Sequence, residues 1–168
     1  FVPENRLGHS AVPELSLSEN ILLSQFPNNN FINNGIINNQ NIETHVNQVI
    51  NDFNVVTPGS DAKASSLSGG NLQKFVIGRE ISSNPKLLII SHPTWGIDAG
   101  AEFAIRESLI RLSKKGTSII VISQDLDELF EITHRISVIF EGYLSSSYKT
   151  KDVNLEKIGL LMGGHKNV

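Results

Sequence analysis

The residues best suited to chemistry in this chain are Ser68, Gly69 and Gly70, within Leu67-Ser68-Gly69-Gly70-Asn71-Leu72-Gln73-Lys74. They open an apolar-periodic run, Leu72, Phe75, Val76, Ile77 and Ile81, which predicts a helix from Gly70 to about Ser83, stopped by Asn84-Pro85. The first N–H groups of a helix have no partner within it and carry the positive end of its dipole. Paired glycines let an anion come close to that backbone, and Ser68 supplies a cap or a donor hydroxyl. The chemistry this predicts is phosphate binding at a helix tip. Taken alone, Ser-Gly-Gly is more often an ordinary capped helix, so the weight falls on the motifs downstream of it and their order.

Those tracts must be positioned by a scaffold, and the periodicity after the tip changes to supply one. Leu87-Leu88-Ile89-Ile90 is a continuous apolar run of strand length, predicted to be buried on both faces. Ala101, Ile105, Leu109 and Leu112 form a helical stripe closed by Lys114-Lys115-Gly116. Ser118 to Ile122 reads as a second buried strand, Asp125-Leu126-Asp127-Glu128 as a capped helix start, and Ile136 to Phe140 as a third strand turned by Glu141-Gly142 toward a return at Tyr143 to Ser147. This alternation predicts a parallel sheet with right-handed crossovers. In such sheets ligands sit beyond the carboxyl ends of the strands, which here are Ser91-His92-Pro93-Thr94 and Ser123-Gln124-Asp125.

Upstream, Ser18-Glu19-Asn20 opens a short helix, and Pro27 to Asn41 is dominated by asparagine and reads as an exposed loop. Ile42, Val46, Val49, Ile50 and Phe53 recur at helical spacing before the stop at Thr57-Pro58-Gly59. The tail, with Val153, Ile158, Leu160, Leu161 and Met162, is expected to form a closing helix before Gly163-Gly164.

At 168 residues the chain can bury one core. A net charge of -3 argues against a nucleic-acid surface held by charge. The absence of cysteine excludes disulfides and thiolate zinc sites, and the five histidines show no ligand spacing. No stretch is long and apolar enough to span a bilayer, the start at Phe1 does not read as a signal peptide, and a start without Met is expected of part of something longer.

Taken together, these motifs resemble the carboxyl-terminal portion of an ATP-binding cassette (ABC) domain. Leu67 to Lys74 resembles the family's signature motif, Leu87 to Thr94 its Walker B strand, and Gly96-Ile97-Asp98 its D-loop, while Gln124 stands at the place of its switch histidine. Val2 to Arg6, Leu17 to Leu22 and Pro93 to Phe103 are similar to the second cassette of tandem ATPase subunits of simple-sugar and nucleoside importers. The resemblance implies an α/β fold, a partial P-loop NTPase with a mainly parallel sheet flanked by helices and a helical subdomain. It implies a cassette over residues 1–150, with a signature lobe at about 15–83 and a core remnant at about 84–150, and a tail over 151–168.

Two departures qualify that reading. No G-x-x-x-x-G-K-[ST] loop occurs, and the two carboxylates usual at the Walker B end are replaced by Ser91, a weak magnesium ligand, and His92. The resemblance therefore implies a chain that does not hydrolyse ATP alone, its own catalytic positions, His92 and Gln124, being degenerate. Ser68, Gly69, Gly70, Gln73, Asp98 and Glu4 are the positions it assigns to ATP. ATP and Mg2+ would be held mainly by a partner cassette. Transmembrane permease subunits would be further partners, with a periplasmic or lipoprotein solute-binding protein reached indirectly, at the cytoplasmic face of the plasma membrane. The alternatives are a truncated, non-enzymatic regulatory module and a soluble cassette ATPase.

Overall fold

The computed structural model describes residues 1–26 and 31–165. The chain divides into two compact units, Phe1–Ile122 and Ser123 onward.

In the first unit, strand β3 (Leu87–Ser91) runs parallel to β4 (Ser118–Ile122), in register from Leu87 opposite Ser118 to Ser91 opposite Ile122. Helix α4 (Ala99–Lys114) makes the crossover. On the other side of β3, Val2 forms a parallel bridge to Ile90: its N–H donates to Ile89 O at 2.8 Å and its carbonyl accepts from Ser91 N at 2.9 Å. Leu88 and Ile90 are buried, as are Ile105, Leu109 and Leu112 on the α4 stripe. The expectation of strands buried on both faces holds for neither: in β3 Leu88 and Ile90 are buried on one face while Ile89 on the other is half-buried, and in β4 Ile120 and Ile122 are 50% and 47% exposed. Among the described residues β4 has no strand on its outer side, and its exposed isoleucines leave one face of the strand open.

The remaining helices of this unit form a three-helix lobe. Helix α1 (Leu17–Gln25) starts at a reciprocal capping box, in which Ser16 Oγ accepts from Glu19 N and Glu19 Oε2 accepts from Ser16 N. Helix α2 (Asn39–Asp52) packs on both α1 and α3 (Gly69–Ser82), burying Leu17, Ile21, Ile42, Val46, Val49, Phe75 and Val76. The asparagine-rich stretch departs from the loop expectation. Strands β1 (Ile32–Asn33) and β2 (Ile36–Ile37) form a hairpin across Asn34-Gly35, and α2 begins at Asn39 under an Asn38 cap. Asn34 and Gly35 have φ of 51° and 81°, the doubly left-handed turn that an Asn-Gly pair favours. Pro27 to Asn30 lie outside the described residues.

Among its described residues the second unit holds α5 (Leu126–Ile132) under an Asp125 cap, four two-residue strands, and α6 (Leu155–Met162), the closing helix expected of the tail. The single strand expected at Ile136–Phe140 is divided. Its first part, β5 (Arg135–Ile136), pairs antiparallel with β8 (Tyr148–Lys149), and its second, β6 (Ile139–Phe140), with β7 (Tyr143–Leu144). Between them Val138 N donates to Ser145 Oγ at 2.9 Å, while its carbonyl accepts from Ser145 N at 2.8 Å. The backbone groups that a parallel neighbour would need are thus taken by the returning chain. Ile136, Val138, Ile158 and Leu161 form this unit's core, with Leu129, Phe130 and Tyr148 against it.

Candidate functional site

Ser68 is the cap of α3: its extended backbone leads into the helix and Oγ accepts from Asn71 N at 3.4 Å and Asn71 Nδ2 at 3.0 Å. Asn71 Oδ1 in turn accepts from Val56 N at 2.9 Å, which ties the approach segment to the tip. Ser68 and Gly69 are exposed and Gly70 is half-buried. The tip is therefore open at its end and held at its side.

What holds it is the turn after β3. A Cβ on Gly70 would lie 3.4 Å from Gly96 O and 3.8 Å from Ile97 Cγ2, ordinary packing distances, so the helix tip rests beside that turn. Two residues further on, Asp98 caps α4, its Oδ1 accepting from Ala101 N at 3.0 Å. That bond lowers the Asp98 pKa, with a smaller contribution from the positive charge of Lys74 on α3. Ser68, Gly69, Gly70 and Asp98 are thus brought to one edge of the first unit by the contact of the α3 tip with the 96–97 turn.

Gln73, expected among the ATP-facing residues, is 2% exposed and turned inward. Its Nε2 donates to Pro93 O at 2.9 Å and His92 O at 3.2 Å, and its Oε1 accepts from Arg6 Nε at 2.8 Å. The amide braces the tip from beneath. Ser91 is half-buried at the end of β3. His92 follows with φ of 47°, a conformation that costs a histidine about 1–2 kcal/mol, and its ring sits 5.8 Å from that of Trp95. Glu4 is exposed on the first loop, and Gln124 is exposed at the start of the second unit. Arg6, which sequence reasoning did not single out, donates to the carbonyls of Gly69, at 3.3 Å, and Trp95 as well as to Gln73. Burial lowers its pKa from the ordinary arginine value. Its partners lie 63 to 89 residues away in sequence, so no local pattern announced them.

The exposed tip fits a phosphate, which needs open N–H groups and close backbone approach. The β3 end does not fit magnesium: Ser91 and His92 bring no carboxylate, and no group of three metal-ligating side chains occurs among the described residues.

Solved cassettes share this arrangement of elements. An ATP-binding cassette in a dimeric, post-hydrolysis state bound to ADP and phosphate superimposes with a TM-score of 0.71 at 20% identity, covering 86% of this chain and 61% of that one. An ATP-binding subunit of an ABC transporter gives 0.72 at 19%, covering 99% and 62%. The fold is therefore that of the ABC ATPase, a P-loop NTPase, present in part. Sequence relatives narrow the class. The chain is 36% identical over 98% of its length to a glucose import ATP-binding protein of Haloferax volcanii, 38% over 99% to a nucleoside import ATP-binding protein of Lactococcus lactis, and 37% over 98% to a galactose/methyl galactoside import ATP-binding protein of Escherichia coli. The chain belongs to the ATP-binding cassette family, with sugar and nucleoside import ATP-binding proteins as its relatives. It spans about a third of their length, between 30% and 33%. No family model matches it.

Proposed function

We propose that this chain is the signature-bearing part of the second cassette in the ATPase of a sugar or nucleoside importer, and that its α3 tip completes a nucleotide site on a partner cassette. The observation that carries the reading is the exposed Ser68-Gly69 end of α3, braced on the turn that leads to Asp98. In this reading Ser68 Oγ and the N–H groups of Gly69 and Gly70 bind the γ-phosphate of ATP held by the partner's phosphate loop. Asp98 lies across the same interface, and Gln73 acts from within as a brace. Ser91, His92 and Gln124 are the remnants of the chain's own degenerate site, and Glu4 sits on the loop that would sense nucleotide and permease. The cassette would extend over residues 1–150, with the lobe at about 15–83 docking on the permease, the core remnant at about 84–150 and the tail beyond. The assembly would lie peripherally on the cytoplasmic face of the membrane, with ATP and Mg2+ held mainly by the partner and a solute-binding protein reached through the permease. Consistent with a peripheral place, no described helix is long and apolar enough to cross a membrane.

The test is to mix the chain with a cassette that carries an intact phosphate loop and measure ATP turnover. Stimulation is expected. The variant Ser68→Asp keeps the helix cap but sets a carboxylate against the phosphate, and should reduce the stimulated rate by roughly 10². Stimulation undiminished in Ser68→Asp would overturn the reading.

A further inference from the structure

Three segments far apart in sequence meet at one guanidinium. Arg6 Nε donates to Gln73 Oε1 at 2.8 Å, one terminal nitrogen donates to Gly69 O at 3.3 Å, and the other donates to Trp95 O. The group is planar, with its five N–H donors in a fixed fork, so occupying three acceptors at once sets both distance and angle between the segments that own them. The packing around it is close. A Cβ on Gly69 would come within 3.2 Å of one Arg6 terminal nitrogen, and a Cβ on Gly96 within 3.4 Å of the other. The backbone behind Arg6 is equally well held, its carbonyl accepting from Ser10 N at 3.0 Å and Ala11 N at 2.8 Å. Gln73 closes the circuit by donating from its amide to the His92 and Pro93 carbonyls.

We propose that Arg6 is a positioning residue: a three-pronged clamp that fixes the α3 tip against the 92–98 turn and ties both to the loop carrying Glu4. Remove the fork, and the tip loses two of its links to the rest of the unit, while Gly70 keeps its contact with Gly96 but no longer a fixed orientation. The tip's use for phosphate rests on the function proposed above; the clamp itself does not.

The test reads the clamp without any nucleotide. Amide hydrogen exchange followed by mass spectrometry is measured on the full chain and on Arg6→Ala and Arg6→Lys. In Arg6→Ala, peptides covering 69–76 and 92–98 should exchange roughly tenfold faster, with α1 and α2 peptides unchanged, and added guanidinium ion should restore protection. Arg6→Lys keeps the charge and the stem but offers a single point. It should retain the parent's melting temperature and still exchange severalfold faster at the same two segments. Parental protection in either variant, or acceleration spread equally over the unit, would overturn the clamp. In the mixed-cassette assay, Arg6→Ala should lower the stimulated kcat and leave KM for ATP within about twofold, because the partner's loop holds the nucleotide. The two proposals fail differently. If Ser68→Asp leaves stimulation intact while Arg6→Ala loosens the two segments, the phosphate reading falls and the clamp stands; the reverse pattern removes the clamp alone.

Discussion

At Gly78, in the middle of α3, a Cβ would lie 2.5 Å from the Phe53 ring at the end of α2. Alanine gains helix propensity of about 1 kcal/mol over glycine, but forcing a methyl into a filled contact costs about 1–3 kcal/mol. Gly78→Ala should therefore lower the thermal midpoint. Gly159 in α6 meets nothing within 4 Å, and there the same substitution should raise stability by up to about 1 kcal/mol. Thermal melts of the two variants should move in opposite directions. The contrast depends on neighbours and not on helix position, and a shared direction would show that propensity alone governs.

The helical lobe owes its order to polar ties as much as to its apolar face. Asn20 on α1 is 2% exposed and secures the preceding loop: Oδ1 accepts from Val12 N at 2.8 Å, and Nδ2 donates to Ser16 O at 2.9 Å and Val12 O at 3.1 Å. Asn20→Ala should cost about 1–3 kcal/mol for each buried group left unpaired, measured by urea denaturation. Between α2 and α3, His45 Nε2 lies 3.2 Å from Ser82 Oγ and its ring 5.6 Å from that of Phe31. Burial lowers its pKa below the ordinary 6.5. A folded chain with a depressed histidine pKa takes up its proton at lower pH than the unfolded chain. The stability this represents is present above about pH 6.5 and is lost as pH falls through the folded value. Urea midpoints should fall between pH 7.5 and 5, and His45→Gln should flatten that slope; an equal slope in the variant would assign the dependence elsewhere.

For the molecule as a whole, the consequential feature is the apolar side of the sheet. Leu87, Ile120 and Ile122 are each about half exposed, and among the described residues β4 offers an unpaired edge. Exposed strands of this kind pair with other chains. The solved cassettes extend well beyond what this chain covers, which is 61% to 62% of their length. Sedimentation velocity should find concentration-dependent association of the parent and less of it in Ile120→Lys. Identical behaviour of the two would remove the sheet face as its cause.

Local chemistry made much of this legible in advance. The capped, glycine-opened α3, the β3–α4–β4 crossover, the Asp125 cap and the closing α6 each follow from residues within a few positions of one another, where periodicity and capping act. The same local logic was available at Asn34-Gly35, although the surrounding asparagines hid that turn inside a loop. Tertiary structure alone decided the rest. Only folding brings Arg6 to Gly69 and Trp95, turns Gln73 inward, and divides Ile136–Phe140 between two antiparallel partners, because those outcomes depend on which distant groups the fold places within reach of a donor or acceptor. Sequence by itself determined the capped, glycine-opened end of α3 on which the phosphate proposal rests, because capping acts within a few residues; only the tertiary structure set Arg6 against that end, because its partners lie 63 to 89 residues away.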